Sequence, residues 1–357
     1  MTNIAILIPT LKQGGAEKQA TLLALTLQKS YNVHIFLLYG IGSIAAQNKA
    51  ILDGSNVTIH SMNGSMLSKL FQLKQEFKKI GIDVLFNYLT SCNVVGAIIG
   101  RMSGIKRIYG GIRNTRLGWH KHVADMLVHN HLSTGTIYNC HSGVTYFTSR
   151  GFSKKNNIVI PNGFIDIATP IVRKDKDIKH IVTAGRFVPQ KDYKTLIRTI
   201  ARLKTFRDDF IVDIIGYGDE EHNIRQWIQE YDIEKHINIY IKPDNIQEII
   251  RDADIYLSTS LYEGTSNSIM EAMNWSLPVV ATNVGDNYCL VTEGSNGMLH
   301  TIGDYEGMAN SLATLLDSHA IRNKYGLCGN DILRNKYSME AFETRYIELI
   351  NQNNQRR

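Results

Sequence analysis

The sequence predicts an α/β protein made of two doubly wound halves, each a parallel sheet layered with helices. Three observations carry this expectation. Short apolar runs alternate with stretches of helical length and period, twice over. A charged stretch with Pro170, residues 169–179, separates the two series and reads as a linker. Each series opens on a strand that runs into a glycine loop and then a helix, at Gly14-Gly15 and again at Gly185. A chain of 357 residues is long enough for two domains.

In order, Ile4–Ile8 is an apolar strand, Leu11–Gly15 a loop, and Ala16–Lys29 a helix whose buried side carries Leu22, Leu23, Ala24 and Leu27. Val33–Leu38 completes a βαβ unit, and glycine at its first turn lets backbone approach a ligand. Gly14-Gly15 also reads as a plain tight turn. Met66–Lys79 is an amphipathic helix with Leu67, Leu70, Phe71 and Phe77 against Lys69, Lys74, Lys78 and Lys79. It reads either as a helix packed on the core or as one lying on a membrane surface. Asp83–Phe86, Arg107–Tyr109 and Ile158–Ile160 are further strands. In the second half, His180–Ala184 and Phe210–Ile215 are strands, each followed by a glycine loop and a helix, Asp192–Leu203 and Asp219–Tyr231. Met339–Gln352 is a final amphipathic helix.

The stretch Leu261–Met273 is the most specific. Glu263 and Glu271 are separated by seven residues, with Gly264 and a small polar cluster between them. Thr265, Ser266 and Asn267 are N-cap candidates, and Ile269, Met270, Ala272 and Met273 form a buried helical face. Glu263 therefore sits in a loop and Glu271 inside the helix, roughly 7 Å along the axis at ~1.5 Å per residue. Free amides at a helix start receive phosphate, and a carboxylate one to two turns on accepts from a sugar hydroxyl. Ile255–Ser258 before this stretch and Val279–Thr282 after it read as buried strands, at whose carboxyl ends ligands bind in open α/β sheets. Two solvated surface glutamates are the plainer alternative.

Composition narrows the classes. No run approaches the ~20 apolar residues of a membrane span. Thr2–Pro9 lacks a basic leader and is expected to be a strand rather than a signal peptide. Cys92, Cys140, Cys289 and Cys328 are scattered, which suggests a reducing compartment and no cysteine metal site. Residues 1–170 hold 17 Lys and Arg against 6 Asp and Glu, a net +11, while the remainder carries −5. A basic first half invites an anionic partner: lipid, a phosphorylated acceptor or nucleic acid. No nucleic-acid motif is present, and aromatic residues do not interleave with the basic ones, so nucleic acid is not expected.

At these residues the chain resembles a known family. Glu263 to Glu271 is similar to the E-x7-E motif of the GT4 glycosyltransferases, retaining enzymes with the GT-B fold. Gly185–Lys191 resembles that family's donor-phosphate loop, Ile215–Glu220 its second glycine loop, Pro161–Asp166 the end of its first domain, and Gly14–Glu17 its first loop. The resemblance runs in order over nearly the full chain, and its specific part is in the C-terminal half. It implies two Rossmann-like domains facing across a cleft: an acceptor-binding domain at 1–168, the linker 169–179, a nucleotide-sugar domain at 180–336, and a C-terminal helix, 337–357, that returns to the first domain. It implies that Arg186 and Lys191 hold the donor diphosphate with the amides of Gly264, Thr265, Ser266 and Asn267, that Glu271 holds the ribose, and that Glu263 meets the transferred sugar. Gly14 and Gly15 would join the donor site. The donor is expected to be a UDP-sugar, with a GDP-sugar as the alternative, and no cofactor is expected.

The charge chemistry agrees with these roles. Breaking a sugar–diphosphate bond leaves negative charge on the departing oxygen, which cations or dipoles must meet. Arg186 and Lys191 could both serve, Arg by bidentate contact and Lys as a point charge, so no metal is expected. Asp252-Ala253-Asp254 and Asp175-Lys176-Asp177 have a metal-binding spacing but read as structural. The sequence departs from the family where many members carry a His near the reacting carbon. Arg113, Asn114 or His120 stands there instead, and the residues do not choose among them. The expected activity is transfer of a sugar, with retention, to a lipid-linked or oligosaccharide acceptor in polysaccharide or glycolipid synthesis. The expected location is cytoplasmic and peripheral, on the anionic inner face of the membrane. An epimerase of the same fold and a catalytically silent nucleotide-binding subunit are the alternatives.

Overall fold

The computed structural model describes residues 1–12, 14–40, 44–113 and 117–352. The chain divides into two compact units, residues 1–163 with the helix Met339–Gln352, and residues 164–338.

The first unit holds a sheet of seven strands: β1 (Asn3–Ile8), β2 (Asn32–Leu37), β3 (Thr58–Ser61), β4 (Val84–Asn87), β5 (Arg107–Ile112), β6 (Gly135–Tyr138) and β7 (Asn157–Val159). They lie in the order β3-β2-β1-β4-β5-β6-β7, and the paired strands are parallel. Helices cover both faces, which is why β1 reads as an unbroken apolar run: Ile4 to Ile8 are all buried. The C-terminal helix belongs to this unit because Phe342, Tyr346, Leu349 and Ile350 enter its core, Tyr346 edge-on to Phe86 at 5.4 Å.

The second unit has six strands: β8 (Lys179–Arg186), β9 (Phe210–Tyr217), β10 (Ile237–Ile241), β11 (Ile255–Ser258), β12 (Val279–Thr282) and β13 (Gly297–His300). Their order is β10-β9-β8-β11-β12-β13, again parallel. The order reverses between β8 and β11, so the loops after these two strands flank one crevice.

The stretch read as a linker is fastened to the second unit along its length. It is extended and without regular structure, but Ile171 N–H donates to Ser276 Oγ (3.0 Å) and Arg173 N–H to Asn323 Oδ1 (2.9 Å), and just before it Ala168 N–H donates to Asn274 Oδ1 (2.7 Å). The Arg173 guanidinium donates to the carbonyls of Trp275 (2.6 Å), Ser276 (2.9 Å), Ala253 (2.7 Å) and Arg251 (2.8 Å). These carbonyls end two helices, where a cation also meets the negative end of the helix dipole. Burial lowers the Arg173 pKa to about 10. The charges that made this stretch look solvated are the groups that attach it.

The two D-x-D pairs are likewise taken up by the fold. Buried Asp254 accepts from His180 N–H (2.8 Å) and Lys176 Nζ (3.2 Å), while Asp252 pairs with Arg251 (2.9 Å). Asp175 pairs with Arg322.

Candidate active site

The loop after β8 is shaped by its neighbours. Gly185 lies opposite Gly216 in the parallel pair β8–β9. A Cβ on Gly216 would sit 2.0 Å from the Gly185 carbonyl oxygen, so the two loops close on each other only without a side chain there. Gly218 has φ +145°, and a Cβ there would lie 2.4 Å from the Phe187 carbonyl oxygen. Phe187 N–H donates to Tyr217 O (2.7 Å) and Glu220 N–H to Phe187 O (3.0 Å). The second glycine loop thus braces the first.

Beyond Pro189 a single 3-10 turn, Pro189–Lys191, leads to Asp192, which caps the helix Tyr193–Lys204 and bonds the Thr195 hydroxyl at 2.6 Å. The turn is tied to the loop after β11. Leu261 N–H donates to Gln190 O (2.8 Å), Gln190 Nε2 to Tyr262 O (2.7 Å), and the Thr259 hydroxyl to the carbonyls of Lys191 (2.9 Å) and Asp192 (3.0 Å). The Lys191 stem crosses Gly185, where an added Cβ would lie 3.2 Å from Lys191 Cε.

These ties bring Lys191 to Glu263. Nζ lies 2.6 Å from Oε1, with the side chains only 20% and 11% exposed. The Ser260 hydroxyl donates to the same oxygen at 2.8 Å. Ser266 occupies the N-cap of the helix Asn267–Asn274, but its side chain caps no amide; its hydroxyl lies 3.2 Å from that of Ser268. The first-turn N–H groups therefore keep their capacity for an anion. Ile269, Met270, Ala272 and Met273 are buried beneath this helix.

A cavity of about 520 Å3 collects these groups. Arg186, Lys191, Glu263, Thr265, Ser266, Asn267 and Glu271 all line it, with Arg186 exposed and Glu271 half-buried. Gly264 lies between Glu263 and Thr265, its carbonyl accepting from Asp286 N–H at 3.1 Å. Sequence reasoning missed the wall that Lys242, Pro243 and Ile246 make with Tyr217 of the second glycine loop. Lys242 has φ +45°, and its Nζ stands 4.4 Å from the centre of the Tyr217 ring. The tyrosine after Gly216 was the one signal for this wall.

The remaining residues named from sequence lie in the first unit. Gly14 is the N-cap of the helix Gly15–Leu27 in extended backbone, and the Glu17 carboxylate folds over it, 2.1 Å from where a Cβ would be. Half-buried Arg113 follows β5. Its guanidinium donates to Asn162 Oδ1 (3.1 Å) and to the hydroxyls of Tyr88 (3.1 Å) and Tyr346 (3.2 Å). His120 is exposed on the helix Trp119–Leu127, its ring centre 3.6 Å from that of Trp119. Asn114 lies outside the described residues.

Residues 165–328 match the family described as glycosyl transferases group 1. This stretch is a group 1 glycosyl transferase domain. Arg186, Lys191, Glu263 and Glu271 all fall within it. A lipopolysaccharide core biosynthesis glycosyltransferase of Rhizobium meliloti, LpsE, is 25% identical over 174 residues, 49% of this chain and 50% of that one. The match thus spans about half the length of that relative. A Campylobacter jejuni protein is 25% identical over 369 residues, 91% of this chain and 93% of that one. It is named N-acetylgalactosamine-N,N'-diacetylbacillosaminyl-diphospho-undecaprenol 4-alpha-N-acetylgalactosaminyltransferase. The crystal structure of Anabaena HepE in complex with UDP superposes with a TM-score of 0.81 at 18% identity, covering 99% of this chain and 100% of that one. The fold is accordingly that of the GT-B glycosyltransferases, two Rossmann-like units with the group 1 domain as the second.

Proposed function

We propose that this chain is a retaining glycosyltransferase of the GT4 type. It moves a sugar from a nucleotide-diphosphate sugar to a lipid-linked acceptor in surface-polysaccharide or glycolipid synthesis. The observation that carries the reading is the convergence of Arg186, Lys191, an uncapped helix start and two half-buried glutamates on one cavity of about 520 Å3. That volume suits a nucleotide sugar. The diphosphate binds Arg186, Lys191 and the amides at Thr265 to Asn267. Glu271 accepts from the ribose. Both hydrogen bonds of Glu263 fall on Oε1, which leaves Oε2 for a hydroxyl of the transferred sugar. Tyr217, Pro243 and Ile246 offer the base an apolar wall. A UDP-sugar is the favoured donor, supported by the UDP bound in the HepE crystal; a GDP-sugar is the alternative. As the sugar–phosphate bond breaks, its electron pair moves to the diphosphate oxygen, where the two cations and the helix start stabilise it. No metal or other cofactor is part of this mechanism.

The acceptor reading is supported by the C. jejuni relative, whose name carries a diphospho-undecaprenol acceptor. Among the described residues no helix is long and apolar enough to cross a membrane. A peripheral location on the cytoplasmic face is supported by the helix Met66–Ile80, which leaves Leu67 80% and Phe71 62% exposed beside its lysines.

Titration calorimetry with UDP and turnover of UDP-sugars test the reading together. Glu271→Ala should lose about 1–3 kcal/mol of UDP affinity, the worth of a hydrogen bond to a charged group. Turnover should persist in excess chelator. Unchanged affinity would remove Glu271 from the site, and loss of activity rescued by added divalent ion would end the metal-free mechanism.

A further inference from the structure

At one edge of the first unit's sheet two histidines meet head to head. Edge strand β3 brings His60 opposite Phe36 of β2, and His34 lies two residues earlier on the same face of β2. His34 Nδ1 stands 3.1 Å from His60 Nε2, with the ring centres 5.2 Å apart. The His60 ring lies against Phe36, with 4.5 Å between centres and 10° between planes. Phe36 in turn meets Phe77 of the helix Met66–Ile80 edge-on at 4.9 Å. Packing on the aromatic core, and not its hydrogen bond alone, thus sets the His60 ring.

The same helix carries Glu76, whose Oε2 lies 3.7 Å from His60 Nδ1. Its other oxygen lies 3.9 Å from exposed Lys79 Nζ. The His60 and Glu76 side chains are 18% and 31% exposed, so the cluster is open to water at the strand edge. None of the three residues lines the candidate donor cavity.

The spacing is that of a chelate. A tetrahedral ion held by two imidazoles at ~2.0–2.1 Å needs their nitrogens about 3.3 Å and their ring centres about 5 Å apart. A hydrogen bond between two imidazoles also requires one bare nitrogen, so at least one ring is uncharged and aims a lone pair at the other. The second ring becomes a ligand by carrying its proton on its other nitrogen, with no net loss of charge. For His60 that nitrogen is Nδ1, on the side of Glu76. A carboxylate there fixes the tautomer of a metal-bound histidine and raises its basicity. Two neutral imidazoles, with oxygen supplied by water, suit a borderline first-row ion and not Mg2+ or Ca2+. His34 and His60 are 26 residues apart, so no sequence spacing announced them.

We propose that His34 Nδ1 and His60 Nε2 bind a divalent transition ion of the zinc class, with Glu76 accepting from His60 Nδ1–H and water completing the coordination. The ion pins edge strand β3 to β2 and, through Glu76, to the helix Met66–Ile80. The site is independent of the transferase reading.

The test titrates the untagged full chain, stripped of metal, with Zn2+, Ni2+ and Mg2+ by calorimetry and thermal shift. Zn2+ and Ni2+ should each bind saturably and raise the melting temperature, and Mg2+ should do neither. His34→Gln and His60→Gln should each weaken that binding more than tenfold. Glu76→Gln should weaken it about tenfold, the usual effect of losing an outer partner. His222→Gln, at an exposed histidine of the second unit, should change nothing. Histidine ring NMR on the wild type decides the matter even where a variant fails to fold: Zn2+ should shift two histidines, one ligated through Nδ1 and one through Nε2. No saturable Zn2+ binding, binding kept by both glutamine variants, Mg2+ bound as tightly as Zn2+, or shifted histidines ligated through the same kind of nitrogen would each overturn the proposal.

Discussion

At Gly285 a single hydrogen decides the shape of the candidate site. The residue has φ +56°, and a Cβ there would sit 2.2 Å from the carbonyl oxygen of Glu263. Neither a backbone carbonyl nor the Glu263 side chain, fixed by Lys191 and Ser260, can yield cheaply. Gly285→Ala should therefore cost about 1–3 kcal/mol of stability, as overpacking does, and should also weaken UDP binding. Gly303 separates the two causes: its φ is +81° but a Cβ would meet nothing within 4 Å. Gly303→Ala should lose only the ~1–2 kcal/mol of left-handed strain and keep UDP affinity. Urea denaturation and calorimetry on both variants check this. Equal UDP affinity in the two would mean that the Glu263 loop does not depend on Gly285.

At the scale of elements, the starts of β8 and β9 are joined by charge as well as by the ladder. The Arg207 guanidinium grips Asp209 with two bonds, 2.9 and 2.8 Å, and Lys179 Nζ reaches the same carboxylate at 3.3 Å. The Arg207 hydrogen bonds, first, hold the Asp209 pKa down to about 2, against an ordinary 3.8. A carboxyl whose folded pKa is depressed adds stability above its ordinary value and loses it as the pH falls through the folded one. The pair should contribute about 1 kcal/mol near neutral pH after solvent screening. Asp209→Asn should thus trail wild type at pH 7, and the gap should close as the pH drops from about 4 to about 2. Urea midpoints across that range test it; a gap independent of pH would assign the effect to packing.

At the scale of the molecule, the uneven charge, +11 in residues 1–170 against −5 in the rest, is the feature to explain. The helix Met66–Ile80 buries Leu73 and Phe77 and leaves Leu67 and Phe71 in solvent, so it is at once packed and amphipathic outward. Each basic residue near an anionic surface contributes about 1 kcal/mol, screened by salt. Replacing Lys69, Lys74, Lys78 and Lys79 by glutamine should release the protein from anionic vesicles at low salt while UDP binding persists. Flotation at low and high salt measures it. Absence of wild-type binding at low salt would make the helix a packed surface element only.

The sequence by itself determined what is local. Apolar runs mark β1, β11 and β12, because strands buried on both faces carry no polar side, while in β8 only Ile181, Val182 and Thr183 are buried. The spacing of Glu263 and Glu271 put one in a loop and one on a helix, and the structure has them so, although Ser266 at the N-cap turns its hydroxyl to Ser268 rather than to an amide. Partly exposed β10 and the helix Trp119–Leu127 left no such pattern, since their burial comes from neighbours distant in the chain. Only the tertiary structure decided which charges meet. Lys191 and Glu263 are 72 residues apart, Arg173 and Trp275 102, and His34 and His60 26. Nothing in their local composition distinguishes Arg173, which fastens the supposed linker, from a solvated cation, or His34 from a surface histidine. Burial and hydrogen-bond partners give them their roles, and both are properties of the packed chain.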